Sequence, residues 1–169
     1  MTSPRANPSP IAPASRPATV LQGGRQKAYR PLGLDQRIAA IEAGLDAYRR
    51  GDFFEAHELL EPAWMGTDRM AEREFVQALI KLAAAYVHAV RGNPAGIEKN
   101  LRGARARLAA SLEAAPPDRS DDPSSDLPTP LSTLDRAELL AGIDDRIAAL
   151  ADGAPPAGPP ILTNLGAVR

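Results

Sequence analysis

His57 and Glu61 lie four residues apart in the stretch Phe53-Phe54-Glu55-Ala56-His57-Glu58-Leu59-Leu60-Glu61-Pro62-Ala63-Trp64. On a helix, side chains at that spacing stack on one face and can touch. At about 100° per residue, Phe53, Ala56, Leu59, Leu60, Ala63 and Trp64 define an apolar side, which Phe54 extends. Glu55, Glu58 and Pro62 point the other way, whereas His57 and Glu61 project between Trp64 and Phe54, inside the apolar arc. A carboxylate there is costly unless it has a partner. An imidazole beside a carboxylate is also the raw material of a general base, with Glu61 orienting or charging His57.

A second polar stripe interrupts residues 70–91, which are otherwise apolar nearly all round. It comprises Gln77, Lys81, Ala84, His88 and Arg91, spaced four, three, four and three. An antiparallel hairpin turning at Thr67 brings His57 level with Gln77, and Lys81 level with Phe53. His88 then falls about 16 Å further along, at roughly 1.5 Å per residue, beside the start of the next helix. The two histidines are therefore not expected to share a metal. The expected cluster is His57, Glu61, Gln77 and Lys81, with Lys81 offering a cation to an anionic ligand. Structural polar networks that fix helix register use the same residue types, and the sequence leaves that account open. Trp64 can likewise serve as core or as a platform for a ligand.

Several chemistries are disfavoured. His57-Glu58-Leu59-Leu60-Glu61 narrowly misses the zinc-protease pattern H-E-x-x-H, because a glutamate replaces the second histidine. The Glu-x-x-His pairs of di-metal bundles are absent. With no cysteine and two histidines, no metal ligand is assigned and no cofactor is expected, a divalent metal being the less favoured alternative. Neither phosphate-binding glycine motif occurs, and no segment reads as a strand. Lys99, Arg102, Arg105 and Arg107 spread around the solvent side of one helix without aromatic neighbours, so nucleic acid is not the expected partner.

These residues must be positioned by helices. Leu34, Ile38, Ile41, Leu45 and Tyr48 step by four and three through a first helix at about residues 35–50. Gly51 suits its left-handed end and Asp52 the cap of the next helix, about 53–65. Gly66, Thr67 and Asp68 form a turn, and the third helix covers about 70–91. Gly92, Asn93 and Pro94 repeat the stop, cap and first-turn pattern. The fourth helix follows at about 94–114, with Ile97, Leu101, Ala104, Leu108 and Leu112 on one face. Arg50-Gly51-Asp52 and Arg91-Gly92-Asn93 lie 41 residues apart, a faint helix-hairpin repeat without solenoid signatures. A fifth helix, 134–151, carries Leu139, Leu140, Ile143, Ile147 and Leu150 on one face, and whether it docks is left open.

Proline marks the boundaries. Of seventeen prolines, six lie between Pro4 and Pro31 and nine between Pro116 and Pro160. The expected plan is a basic, disordered tail at 1–31, a bundle at 32–115, a linker at 116–133, the accessory helix, and a proline-rich tail at 152–169. The net charge of -1 conceals five basic groups and no acid in residues 1–31, against four arginines and nine acids in 116–169. No apolar run reaches the roughly 20 residues a membrane span needs. The start lacks a secretory plan, so a cytoplasmic location is expected.

Three stretches together carry a family resemblance: Gly51 to Glu61 with Trp64, Phe75 to His88, and Arg91-Gly92-Asn93. They resemble the bacterial and archaeal domain-of-unknown-function family number 309, whose signature is an EAHE-x-x-E-x-x-W helix followed by a glutamine-bearing apolar helix. The likeness covers about residues 35–112. It implies a small helical bundle and no particular reaction. Position by position, its signature residues here are Gly51, Glu55, His57, Glu58, Glu61, Trp64, Gln77 and His88. Ala78 stands where the family commonly has glycine, and Pro62 is unusual inside a helix.

The fold class expected is therefore all-α, about four antiparallel helices plus an accessory fifth. The preferred function is a module binding a small ligand or protein partner beside helices two and three. Glu58, Trp64, Gln77 and His88 are its candidate binding residues, and a homo-oligomer stays open. One alternative is a hydrolase-like enzyme with His57 as base, Glu61 as its orienter and Lys81 as anion stabiliser. Another is an RNA-associated adaptor acting through the basic N-terminal tail.

Overall fold

The computed structural model describes residues 18–114 and 127–164. Turn chemistry sets most helix boundaries. Helix α1 (Leu34–Arg50) stops at Gly51, whose φ of 85° lies where only glycine is comfortable. Helix α2 (Phe53–Gly66) follows without a side-chain cap, so Asp52 does not do the capping expected of it. Helix α3 (Met70–Val90) ends before Gly92, and Asn93 caps α4 (Pro94–Glu113) by accepting from the Gly96 N–H at 3.0 Å. Helix α5 (Arg136–Ala151) starts at Asp135, which accepts from the Glu138 N–H.

Consecutive helices pack on one another, so α3 lies between α2 and α4, while α1 covers α2 and α5 covers α4. The result is an all-α bundle with one core. Ile41, Leu45 and Tyr48 of α1, Phe75, Leu79 and Leu82 of α3, and Ile97, Leu101 and Leu108 of α4 are all buried in it. Each such side chain contributes about 1.5–3 kcal/mol by leaving water. Leu34 and Leu112, at the outer ends of their stripes, overhang the core and stay exposed. At Gly44 a Cβ would stand 2.5 Å from Leu60 Cγ, so this glycine permits the close approach of α1 and α2.

Helix α5 docks, burying Leu139 and Ile143 in the same core. The proline-rich segment behind it then returns across the bundle. The Tyr48 and Tyr86 hydroxyls donate to the carbonyls of Pro160 and Gly158, each at 3.0 Å, and Leu162 is buried. Residues 158–164 are thus held against the bundle, residues 152–157 are exposed, and 165–169 lie outside the described residues. Of the expected linker, 116–126 also lie outside them, and 127–133 include a 3-10 turn at Leu131–Thr133 with Leu131 fully buried.

The expectation of a disordered tail at 1–31 needs correction. Residues 1–17 lie outside the described residues, but from Thr19 the chain forms an antiparallel hairpin of β1 (Thr19–Gln22) and β2 (Arg25–Ala28). Its two-residue turn is Gly23-Gly24, with φ of 55° and 72°, the geometry that twisted hairpins prefer. The chain then runs against the end of α2, where the Arg30 and Leu32 N–H groups donate to the carbonyls of Met65 and Gly66. The glycine pair between Thr19-Val20-Leu21-Gln22 and the next run is a legible hairpin signal. The prolines before it dominate the composition and conceal it. Arg25, Lys27 and Arg30 consequently belong to a packed segment, not to a free basic arm.

Candidate functional site

Helices α2, α3 and α4 enclose a cleft of about 190 Å³. Helix α2 contributes His57, Glu61 and Trp64, spaced by one turn and then most of another. Helix α3 contributes Gln77, Ile80, Lys81 and Ala84, and α4 adds Asn100. The structure thus brings together His57, Glu61, Gln77, Lys81 and Trp64. Asn100 comes from α4, which a register between α2 and α3 alone does not reveal. His88 lies elsewhere: its ring packs on Gly96 at the start of α4 and its Nδ1 is 3.2 Å from the Asn93 side-chain amide.

The imidazole has a different partner from the one expected. His57 Nδ1 lies 3.2 Å from Glu58 Oε1, and no hydrogen bond joins His57 to Glu61. Adjacent helical residues diverge by about 100°, but a glutamate is long enough to swing back across the helix surface. Glu58 is half in solvent and stands outside the cleft lining. Helix α2 continues unbroken through Pro62, which has no N–H to offer the Glu58 carbonyl.

Lys81 is half-buried and makes no hydrogen bond or ion pair with any described residue; Glu61 makes none either. The Lys81 stem lies against Gly103 of α4, where a Cβ would come within 2.9 Å of Cδ and 3.4 Å of Nζ. Its ammonium pKa is pushed down by burial first, then by the positive charges of Arg107, Lys99 and Lys27. An ammonium that loses water and is pressed by Arg107, Lys99 and Lys27, with no carboxylate bonded to it among the described residues, attracts an anion.

A wall of fully partnered polar groups flanks the cleft. Gln22, at the end of β1, is 1 % exposed. Its amide donates to Gln77 Oε1 at 2.8 Å, and its oxygen accepts from Trp64 Nε1 at 3.2 Å and Arg73 Nε at 3.0 Å. Arg73, wholly buried, also donates to the carbonyls of Trp64, Thr67 and Ala28, and its guanidinium lies 4.8 Å from the Trp64 ring centre. Trp64 therefore serves the network and the cleft at once. Nearby, Arg37 grips buried Glu72 through two nitrogens, at 2.7 and 3.3 Å, and Thr67 Oγ1 donates to the same carboxylate. Buried Glu74 accepts from Arg107 at 3.0 Å.

None of Gln22, Arg37, Glu72, Arg73, Glu74 and Arg107 stood out as a site residue in the sequence. The available signal was the run Glu72-Arg73-Glu74 opening the most apolar helix, all three of which are buried. Among the described residues no group of three or more His, Cys, Asp or Glu side chains is placed to hold a metal ion. No helix among them is long and apolar enough to cross a membrane.

Comparison with the curated proteins and with the solved structures gives no match. The family motifs fall on the elements just described: of the EAHE-x-x-E-x-x-W pattern on α2, His57, Glu61 and Trp64 line the cleft, and the glutamine of the following helix, Gln77, lines it from α3. Residues 41–100, from mid-α1 into α4, match the family described as Domain of unknown function (DUF309), the one that the sequence motifs resemble.

Proposed function

We propose that this helical domain binds a small, polar, negatively charged molecule in the cleft between α2, α3 and α4. The observation that carries this reading is Lys81, a half-buried ammonium aimed at a cleft and unpartnered among the described residues, with only like charges acting on it. Protein interiors normally pair such a group. Here the partner would be the ligand. Gln77, Asn100 and His57 supply hydrogen-bonding groups around it, which orient an oxyanion that the charge attracts. A cleft of about 190 Å³ is below the range typical of drug-sized ligands, so the occupant is a molecule of a few heavy atoms. In the hydrolase-like alternative the carboxylate beside His57 would be Glu58 in place of Glu61. For the adaptor alternative, Arg25 and Lys27 stand on the hairpin and Arg30 follows it, so three of the five basic groups of residues 1–31 are not on a free arm.

Titration calorimetry with inorganic phosphate and with short carboxylates tests the reading. Saturable binding that weakens with salt and disappears in Lys81→Met is expected. Absence of binding to the wild-type protein by every anion tried, at millimolar concentration, would overturn it.

A further inference from the structure

The chain contains seventeen arginines and three lysines. Those three come from β2, α3 and α4, yet Lys27 and Lys99 are both among the charges that act on Lys81. The chain thus uses arginine at every other cationic position, and the charges of its two other lysines reach the one that lines the cleft. The two side chains differ in one chemical capacity. A guanidinium does not give up its proton in a protein, whereas a desolvated lysine amine does and becomes a nucleophile. We infer that Lys81 is a carbonyl-reactive amine, which takes a small aldehyde acid or 2-oxo acid as a reversible imine in the cleft. This rests on the reading of the cleft as an anion site and adds a covalent step to it.

The geometry supplies what the step needs. Lys81 stands in the middle of α3, a rigid position, and Gly103 gives its stem room against α4. No carboxylate among the described residues pairs with the amine, so nothing holds it as an ammonium in the way an ion pair would. Burial and the charges of Arg107 (itself bound to Glu74), Lys99 and Lys27 enlarge its neutral fraction. The same cations draw the acid group of the substrate. Facing the amine from α2 are His57 and Glu61, from α3 Gln77 and from α4 Asn100.

The lone pair of Nζ attacks the carbonyl carbon and a C–N bond forms. The nitrogen loses a proton and the former carbonyl oxygen gains one, giving a carbinolamine. Loss of the second amine proton, protonation of the hydroxyl and cleavage of the C–O bond then release water and leave C=N. Both amine hydrogens depart in that water, and no oxidant or reductant is consumed. His57 and Glu61 are the side chains of the cleft able to carry these protons. An occupant that forms an imine and is released unchanged is carried or sensed, and one that loses a group while attached is a substrate.

The full chain should be incubated with glyoxylate and cyanoborohydride, which reduces imines to stable amines, and the labelled peptides mapped by mass spectrometry. With only three lysines the readout is simple. Labelling of Lys81 well ahead of Lys27 and Lys99 near neutral pH is expected, because burial pushes its pKa down and enlarges its neutral fraction. Equal labelling of the three lysines, or Lys81 slowest, overturns the proposal. Glycolate, which has the acid group but no carbonyl, separates the two readings. If glycolate shifts the Trp64 indole resonance while glyoxylate labels evenly, the anion site stands and the imine fails. If neither acts, both fail. Lys81→Arg should keep glycolate binding while the glyoxylate label at this position is lost.

Discussion

Two polar regions lie side by side along α3 and are built on opposite principles. At its first turns, Arg73, Glu72 and Glu74 are buried deeper than any other charges of the helix, and each has its partners within the protein. Two turns later, Lys81 is less buried and has none among the described residues. Polarity within an apolar helix is therefore no sign of function by itself. The distinction lies in satisfaction: the first region spends every donor on the fold, and the second leaves a cation and a carboxylate, Glu61, for something else to meet.

Three substitutions would break or sharpen that contrast. The largest effect is expected from Arg37→Met, which leaves Glu72 as a buried charge without its bidentate partner. Urea unfolding should register a loss of about 3–5 kcal/mol. Gln22→Ala comes next, since it strips hydrogen bonds from Trp64, Arg73 and Gln77 at once. A loss of about 1–3 kcal/mol is expected, with amide exchange accelerating in residues 19–28 before the rest of the bundle. If that hairpin exchanges at the same rate in both proteins, Gln22 is not its latch.

Lys81→Met is the opposite case, and at neutral pH its stability should stay within about 1 kcal/mol of wild type or exceed it. Its signature is in pH. The folded protein holds the Lys81 pKa below the ordinary lysine value near ~10.4, so between those two points the unfolded chain binds more protons. Wild-type stability therefore rises as pH increases through that alkaline window, and below it the penalty on the charged form is complete and constant. Thermal melts at stepped pH should show the rise in wild type and lack it in Lys81→Met. Parallel curves would place the burdened cation elsewhere.

The helices and the cleft were unequally legible in the sequence. Spacings of three and four located all five helices to within about two residues, because a side chain's place around a helix is a local property. The same periodicity, with an antiparallel register, assembled His57, Glu61, Gln77 and Lys81 around one space. It was less informative where rotamers decide the outcome. Whether His57 meets Glu58 or Glu61 depends on side-chain torsions, and both glutamates are within reach.

What lay beyond local pattern was whatever distant segments contribute. The hairpin reaches the bundle through Gln22, whose partners Trp64, Arg73 and Gln77 are 42 to 55 residues away. The tail is held by Tyr48 and Tyr86, 112 and 72 residues from the carbonyls they bind.

The amino-acid order alone determined an all-α bundle, the turns between its first four helices and the inward face of α2, since each follows from neighbours within one helical turn. Only the tertiary structure decided which buried polar groups would be satisfied. That outcome depends on hydrogen-bond partners brought from far along the chain, and no local pattern records their arrival.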